Sequence, residues 1–228
     1  MKNPFKRLTK FELLLYIISV TIVTVAFLIP EKKDYLNLIA SLVGVTALIF
    51  LAKGYVIGQV LIVAFSVLYG IISFHFKYYG ELITYVFMTL PMAILAMISW
   101  IKNPYKDTGV VKISRVTKKA LIILSLLSAV VTVIFYFILD YFNTSSIFWS
   151  TISITTSFVA ASLTFLRSPY YAIAYATNDI VLIILWTLAT MESVSYFPMV
   201  ICFAVFLFND IYGFINWIKM EKGQKKSL

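Results

Sequence analysis

Residues 119–139 read KALIILSLLSAVVTVIFYFIL, an apolar stretch whose one charged residue stands at its start. A helix of roughly 20 apolar residues crosses the ~30 Å hydrocarbon layer of a bilayer. The chain carries eight apolar runs of this kind: Phe11–Ile29, Tyr35–Leu51, Tyr55–Phe76, Tyr79–Trp100, Lys119–Leu139, Ile147–Leu166, Tyr170–Thr190 and Val194–Trp217. They are too long and too evenly apolar to be buried strands or the alternating strands of a membrane barrel. The sequence therefore predicts an all-α polytopic membrane protein with about eight transmembrane helices.

The composition supports this fold class. Of 228 residues, 61% are hydrophobic and 13% charged, against about 45–50% and about 25% in soluble domains. Eight membrane spans use about 160 residues, which leaves little chain for a soluble domain. A soluble enzyme, a nucleic-acid-binding protein and a secreted scaffold are therefore excluded. Because Cys202 and His75 are the only cysteine and histidine, we expect no metal site and no cofactor.

The basic residues predict the orientation of the chain. Sixteen of the 19 Lys and Arg residues fall in the tails and in every second loop, and the other three are Lys32, Lys33 and Lys77. Cytoplasmic loops of membrane proteins carry the excess of Lys and Arg. The net charge of +9 thus reports topology, and both termini are expected in the cytoplasm. The positive net charge therefore indicates the lipid bilayer as the partner of the chain and does not indicate nucleic acid.

The first apolar run raises the alternative of a signal peptide, because four basic residues precede it. It is about 19 residues long and ends in AFLIPE (residues 26–31), without a small-x-small cleavage site. A retained helix is the better interpretation. Later in the chain, Pro91 stands inside the fourth run and predicts a kink there.

The chain also repeats itself. Residues 23–27 (VTVAF) recur at 131–135 (VTVIF), Phe50-Leu51 before Tyr55 matches Phe165-Leu166 before Tyr170, and residues 99–102 (SWIK) match 216–219 (NWIK). The offsets of 108, 115 and 117 residues drift slowly, as expected for two halves with small insertions. Four helices in each half make the halves parallel. Parallel repeats are found in transporters, with the substrate site between them near the midplane.

Four polar residues lie deep in the last two spans: Asn178, Asp179, Asn209 and Asp210. At 1.5 Å per residue, both pairs lie roughly 12–14 Å from the cytoplasmic ends of their helices. An aspartate at the centre of a membrane helix costs about 2.5–3.5 kcal/mol, so a substrate site is one interpretation. Hydrogen bonds that hold the helix bundle together are the other.

Helical spacing groups further residues with these pairs. Three polar faces result: Asn209, Tyr212, Gly213 and Asn216; Asn178, Leu182 and Trp186; and Gln59, Ser66 and Gly70, with Tyr69 beside them. Amide donors and aromatic walls suit a planar heterocycle joined to a sugar. A tyrosine on a membrane helix, such as Tyr69, is more often a packing residue than a ligand contact. Trp100 and Trp217 end their runs beside lysines, which predicts an interfacial aromatic belt.

Two stretches carry a family resemblance. TNDIVLIILW (residues 177–186) and FNDIYGFINWIK (208–219) resemble the Pnu vitamin-transporter family, and the resemblance spans roughly residues 35–219. It implies two parallel three-helix bundles joined by a linker helix, as in the SWEET sugar transporters. The implied units are an extra N-terminal helix (1–34), bundles at 35–104 and 147–219, a cytoplasmic loop and linker helix (105–146) and a cytoplasmic tail (220–228).

The resemblance also implies a function. Members are facilitators rather than enzymes: a vitamin enters the bacterial cell down its gradient across the inner membrane and a cytoplasmic kinase traps it. Nicotinamide riboside is the expected substrate, and a homotrimer the expected assembly. The riboside branch is associated with a Trp-x-x-Trp element, but Ile183 and Ala189 stand three positions from Trp186. Thiamine and riboflavin therefore stay open as substrates.

The residues themselves favour a cationic vitamin. Trp186 is expected to stack on the ring, and the amides Asn178, Asn209 and Asn216 to bind ribose or carboxamide. Asp179 or Asp210 would supply negative potential. Gln59, Tyr69 and Tyr212 complete the predicted set. A proton-coupled small-molecule transporter that uses the aspartates as a relay is an alternative.

Overall fold

The computed structural model describes residues 4–31, 34–75 and 79–226. Lys2, Lys32, Lys33 and Lys77, which entered the charge count, lie outside the described residues. The helices are α1 (Lys10–Leu28), α2 (Tyr35–Ala52), α3 (Val56–His75), α4 (Tyr79–Thr84), α5 (Leu90–Lys102), α6 (Lys118–Tyr141), α7 (Ile147–Phe165), α8 (Tyr170–Glu192) and α9 (Phe197–Lys226). Short 3₁₀ turns occupy Pro4–Arg7, Lys106–Thr108 and Val194–Tyr196, and a two-stranded antiparallel hairpin joins β1 (Pro104–Tyr105) to β2 (Val110–Val111).

Eight segments of the described chain are long and apolar enough to cross a membrane, as the sequence predicts. Their surfaces are apolar as well. Along α6, for example, Ile122, Leu126 and Phe137 are more than 60% exposed. Such a surface is stable against lipid tails and not against water, so the prediction of an all-α membrane protein is confirmed.

The fourth span is interrupted rather than continuous. A π-helical turn, Tyr85–Thr89, separates α4 from α5, and the Leu90 N–H donates to the Tyr85 carbonyl five residues back. Pro91 follows within the first turn of α5. Proline has no N–H and its ring crowds the preceding turn, which a wider π turn accommodates. The sequence predicts a kink at Pro91. The structure instead has a π-helical turn, which lies one turn before the proline.

The hairpin gathers the basic segments at one end of the molecule. The Val111 N–H donates to the Gly54 carbonyl (2.9 Å), between α2 and α3, and the Ser114 N–H donates to the Arg167 carbonyl (3.0 Å), between α7 and α8. From the end of α9, the Gln224 amide donates to the Val111 carbonyl at 3.0 Å. The basic end of the molecule, as we call this region, thus joins segments from both halves of the chain.

Two tryptophans tie the halves together by equivalent bonds. The Trp100 indole donates to the Thr164 carbonyl (2.9 Å) at the end of α7, and the Trp217 indole donates to the Leu51 carbonyl (2.8 Å) at the end of α2. Both side chains are fully buried and their rings lie 5.3 Å apart. The prediction of an interfacial belt is therefore wrong for both. Each instead satisfies a carbonyl at a helix end, which would otherwise lack a partner.

The turns that receive these bonds have the same geometry. Gly54 and Arg167 both have positive φ, at 70° and 56°, and their N–H groups donate to Leu51 and Thr164 at 2.8 and 2.9 Å. The structurally equivalent residues Gly54 and Arg167 are 113 positions apart. The sequence match of Tyr55 with Tyr170 gives an offset of 115. Glycine adopts this left-handed conformation without the penalty that arginine pays.

Candidate functional site

A cavity of about 180 Å³ lies between α2, α3, the π turn, α7, α8 and α9. This volume is more than ten times the roughly 15 Å³ that holds one water molecule. Its lining extends from Thr144, in the α6–α7 turn, and Ser150, in the first turn of α7, to Leu51 near the basic end. Five of the nine predicted site residues line it: Tyr69, Asn178, Asp179, Trp186 and Asp210.

Two carboxyl groups face each other in the wall of the cavity. Asp179 of α8 and Asp210 of α9 are each 4% exposed and lie within hydrogen-bonding contact. Asp179 Oδ2 has no hydrogen-bond partner among the described residues. The ion pairs in that part of the chain involve only Glu12 and Glu221. No protein cation there balances the two aspartates, and an unbalanced buried charge is costly.

Asn178 presents its amide nitrogen to the cavity. Its Oδ1 accepts hydrogen bonds from Thr156 (2.7 Å) and Ser153 (3.3 Å) of α7. These two bonds fix the orientation of the amide. The Nδ2 group has no acceptor in the described part of the protein, so it is available to an acceptor on a ligand.

Aromatic side chains form the remaining walls. The Tyr69 and Tyr85 rings are stacked, with centroids 5.0 Å apart and an interplanar angle of 29°. Trp186 lines the cavity from α8, two turns beyond Asn178, and its ring lies 5.6 Å from that of Tyr196. Aromatic faces attract cationic rings, so the walls and the carboxyl pair favour the same kind of ligand.

The other four predicted residues lie outside this lining. Gln59 is buried beside a smaller cavity between α3, α5 and α7, and its Nε2 has no partner among the described residues. Asn209 donates to Ser19 of α1 (2.9 Å), and Asn216 donates to the Ala52 carbonyl of α2 (2.7 Å). Both amides thus hold helices together in this structure.

Tyr212 belongs to a buried polar network on α1. Its hydroxyl donates to Glu12 at 2.6 Å, and Lys53 pairs with the same carboxylate at 3.0 Å. The other oxygen of Glu12 accepts from the Thr9 N–H at 2.6 Å and completes the N-terminal capping box of α1. The polar face on α9 therefore packs against α1 and α2, while Asp210, the residue after Asn209, faces the cavity.

A family model covers most of the chain. Residues 34–219 match the family described as nicotinamide mononucleotide transporter. The chain belongs to this family. It is therefore a multi-pass membrane transporter and not an enzyme, and the cavity with its aspartate pair falls within the matched region. The match starts at the beginning of α2, so α1 precedes it.

Named relatives agree with the family. The chain is 24% identical over 219 residues to the nicotinamide riboside transporter PnuC of Neisseria mucosa, covering 94% of this chain and 83% of the relative. It is 22% identical over 196 residues to the protein of the same name from Haemophilus influenzae, covering 85% and 84%. The crystal structure of the vitamin B3 transporter PnuC superposes with a TM-score of 0.79 at 24% identity, covering 95% of this chain and 94% of that one. The fold of the chain is thus that of PnuC.

Sequence reasoning missed the contribution of α7 to the site. Residues 150–157 read STISITTS, and Ser150, Ser153 and Ser157 line the cavity while Thr156 orients Asn178. The density of hydroxyl groups within one apolar run was the available signal. Serine and threonine often bond to their own helix backbone in membranes, which made this signal easy to overlook.

Proposed function

We propose that this transporter carries nicotinamide riboside into the bacterial cell by facilitated diffusion. The observation that supports this most is the cavity itself, in which aromatic walls and an uncompensated pair of carboxyl groups face the same space. Nicotinamide riboside carries a pyridinium ring, whose charge the aspartates would balance. The names of the two bacterial relatives point to the same substrate.

Each polar group of the cavity has a role in this proposal. Trp186 stacks on the pyridinium ring, with Tyr69 and Tyr85 opposite, and Asp179 and Asp210 supply negative potential. Asn178 Nδ2 donates to an oxygen of the ribose or carboxamide. Because Asn209, Tyr212 and Asn216 bond to α1 and α2, we assign them to packing.

The proposal extends to orientation and transport cycle. Both termini lie in the cytoplasm, since the basic end joins the tails and alternate loops. The cavity then faces the outside, because its lining reaches the α6–α7 turn while Trp100, Trp217 and Tyr171 pack together between it and the basic end. A cytoplasmic kinase would trap the riboside after entry.

We further propose the SWEET-like division into bundles at residues 35–104 and 147–219, with α1 as an addition, residues 105–146 as loop and linker, and 220–228 as tail. The equivalent bonds of Trp100 and Trp217 support two related halves. A homotrimer is the proposed assembly. Light scattering of the purified protein in detergent would report its mass.

Calorimetric binding of nicotinamide riboside, thiamine and riboflavin to the purified protein tests the substrate. We expect heat from the riboside and a Kd about tenfold higher in Trp186→Ala, since a cation–aromatic contact contributes about 1–2 kcal/mol. Thr177→Val is the matched control, because Thr177 is exposed on α8 and bonds only to its own helix. Thiamine is the second candidate because its thiazolium is also a cation. Binding of thiamine alone would replace the riboside in the proposal.

A further inference from the structure

The carboxyl pair requires a source of charge balance. Asp179 and Asp210 are both buried and in contact, and Asp179 Oδ2 lacks a hydrogen-bond partner within the described residues. Two ionised carboxylates in contact repel strongly, and a low-dielectric cavity increases that repulsion. The pair is therefore stable only with protons or with a cation beside it.

Among the residues that the structure describes, the groups around the pair supply no positive charge. The titratable side chains around the pair are Tyr171 and Tyr175 on α8, Cys202 on α9, and Tyr69 and Tyr85 across the cavity. Phenols and thiols of this kind are neutral at pH 7. The residues by which α2 and α7 line the cavity are apolar or carry hydroxyl groups. On α1, which packs on α9, Glu12 is already paired with Lys53.

We propose that a cationic substrate displaces one proton from the Asp179–Asp210 pair when it enters the cavity. This inference rests on the proposed function. In the empty site both carboxyl groups carry a proton, which leaves the cavity neutral. As the cation arrives, one O–H bond breaks and its proton leaves to the water of the open cavity. The other proton stays between the carboxyl groups, and the site with its substrate is again neutral.

The exchange makes substrate affinity depend on pH. A lower pH favours the doubly protonated pair, which must lose a proton before the cation can bind. Where the empty pair is fully protonated, the Kd therefore rises about tenfold for each pH unit of acidification. A neutral ligand of the same shape releases no proton, and its Kd does not change. Proton release thus separates this inference from simple attraction of a cation to a fixed negative charge.

The experiment is titration calorimetry at constant pH in buffers of different ionisation enthalpy, with nicotinamide riboside as the probe. The observed enthalpy plotted against the buffer ionisation enthalpy has a slope equal to the number of protons taken up on binding, so release of one proton gives a slope of about minus one. We expect about one proton per riboside. The uncharged dihydropyridine form of the riboside should give a slope near zero.

The double variant Asp179→Asn/Asp210→Asn keeps the shape of the pair and removes its protons. We expect it to release no proton with the cation, and a cooperative thermal unfolding transition in detergent checks its folding. Thr177→Val should keep a slope of about minus one. Riboside binding without proton release in the parent protein would overturn the inference and leave the proposed function standing. If the parent protein binds neither the riboside nor its uncharged form, both this inference and the proposed function are overturned.

Discussion

Replacing Glu12 by glutamine tests whether the polar network of α1 contributes to stability. Glu12 is 1% exposed and pairs with Lys53 at 3.0 Å. Glutamine has nearly the same shape: its one carbonyl oxygen can accept from the Thr9 N–H, and its amide nitrogen can donate to the Tyr212 hydroxyl oxygen. It cannot balance the charge of Lys53. The substitution therefore removes one interaction and preserves most of the packing.

The cost follows from the exposure of Lys53. Removal of one partner from a fully buried ion pair costs about 3–5 kcal/mol. The Lys53 side chain is 19% exposed, and a lysine ammonium can extend towards water along its flexible stem. We therefore expect a loss of about 2 kcal/mol, which lowers Tm by about 4–8 °C for a chain of this length.

A thermal ramp of the purified protein in detergent, monitored by tryptophan fluorescence at a fixed scan rate, measures the effect. Glu221→Gln is the matched control, because Glu221 pairs with Arg115 and Lys225 at the surface, where the Arg115 side chain is 79% exposed. Exposed pairs contribute about 0–1 kcal/mol. Adding Lys53→Met to Glu12→Gln should recover most of the lost stability. Equal Tm shifts for Glu12→Gln and Glu221→Gln would refute the reasoning.

Five further substitutions are informative in thermal unfolding or in binding calorimetry. Trp100→Phe and Trp217→Phe should each lower stability by about 1–2 kcal/mol in thermal unfolding, because each loses a buried indole hydrogen bond; a loss at one site alone would contradict their equivalence. Gly58→Ala should cost about 1–3 kcal/mol, since its Cβ would lie 2.7 Å from a backbone nitrogen of α2. Gly213→Ala should be tolerated because its nearest neighbour is at 3.6 Å. In calorimetry, Trp186→Ala should weaken riboside binding about tenfold, and an unchanged Kd would remove Trp186 from the site.

The membrane spans could be predicted from the sequence because hydrocarbon thickness sets their length and lipid sets their composition. The predicted run Lys119–Leu139, for example, corresponds to α6 at Lys118–Tyr141. The hairpin of β1 and β2 could not be predicted in this way. Its strands have two residues each, and the bond from the Val111 N–H to the distant Gly54 carbonyl helps to hold them in place, a contact that no local pattern encodes.

The two tryptophans illustrate a second limit. Trp100 and Trp217 stand at helix ends beside lysines, where an aromatic residue commonly anchors a helix in the headgroup region. Here the carbonyls of Leu51 and Thr164 compete for the indole N–H groups, and burial removes both rings from the membrane surface. Whether each tryptophan lies at the membrane surface or in the interior depends on how the two halves of the chain pack together. The sequence alone does not give this packing.

The sequence also could not predict which residues of the two Asn-Asp pairs face the cavity. Successive residues on a helix point about 100° apart, so spacing alone assigns Asn209 and Asp210 to different faces without saying which face meets the cavity. The structure turns Asn209 towards Ser19 of α1 and Asp210 towards Asp179. A neutral amide needs no counter-charge between helices: the Asn209 Nδ2 donates to Ser19, while its Oδ1 has no partner among the described residues. A buried carboxylate does need one, and it must meet a proton or a cation. On α9 the residue that is harder to bury is therefore the one that faces the cavity, whereas on α8 both Asn178 and Asp179 line it.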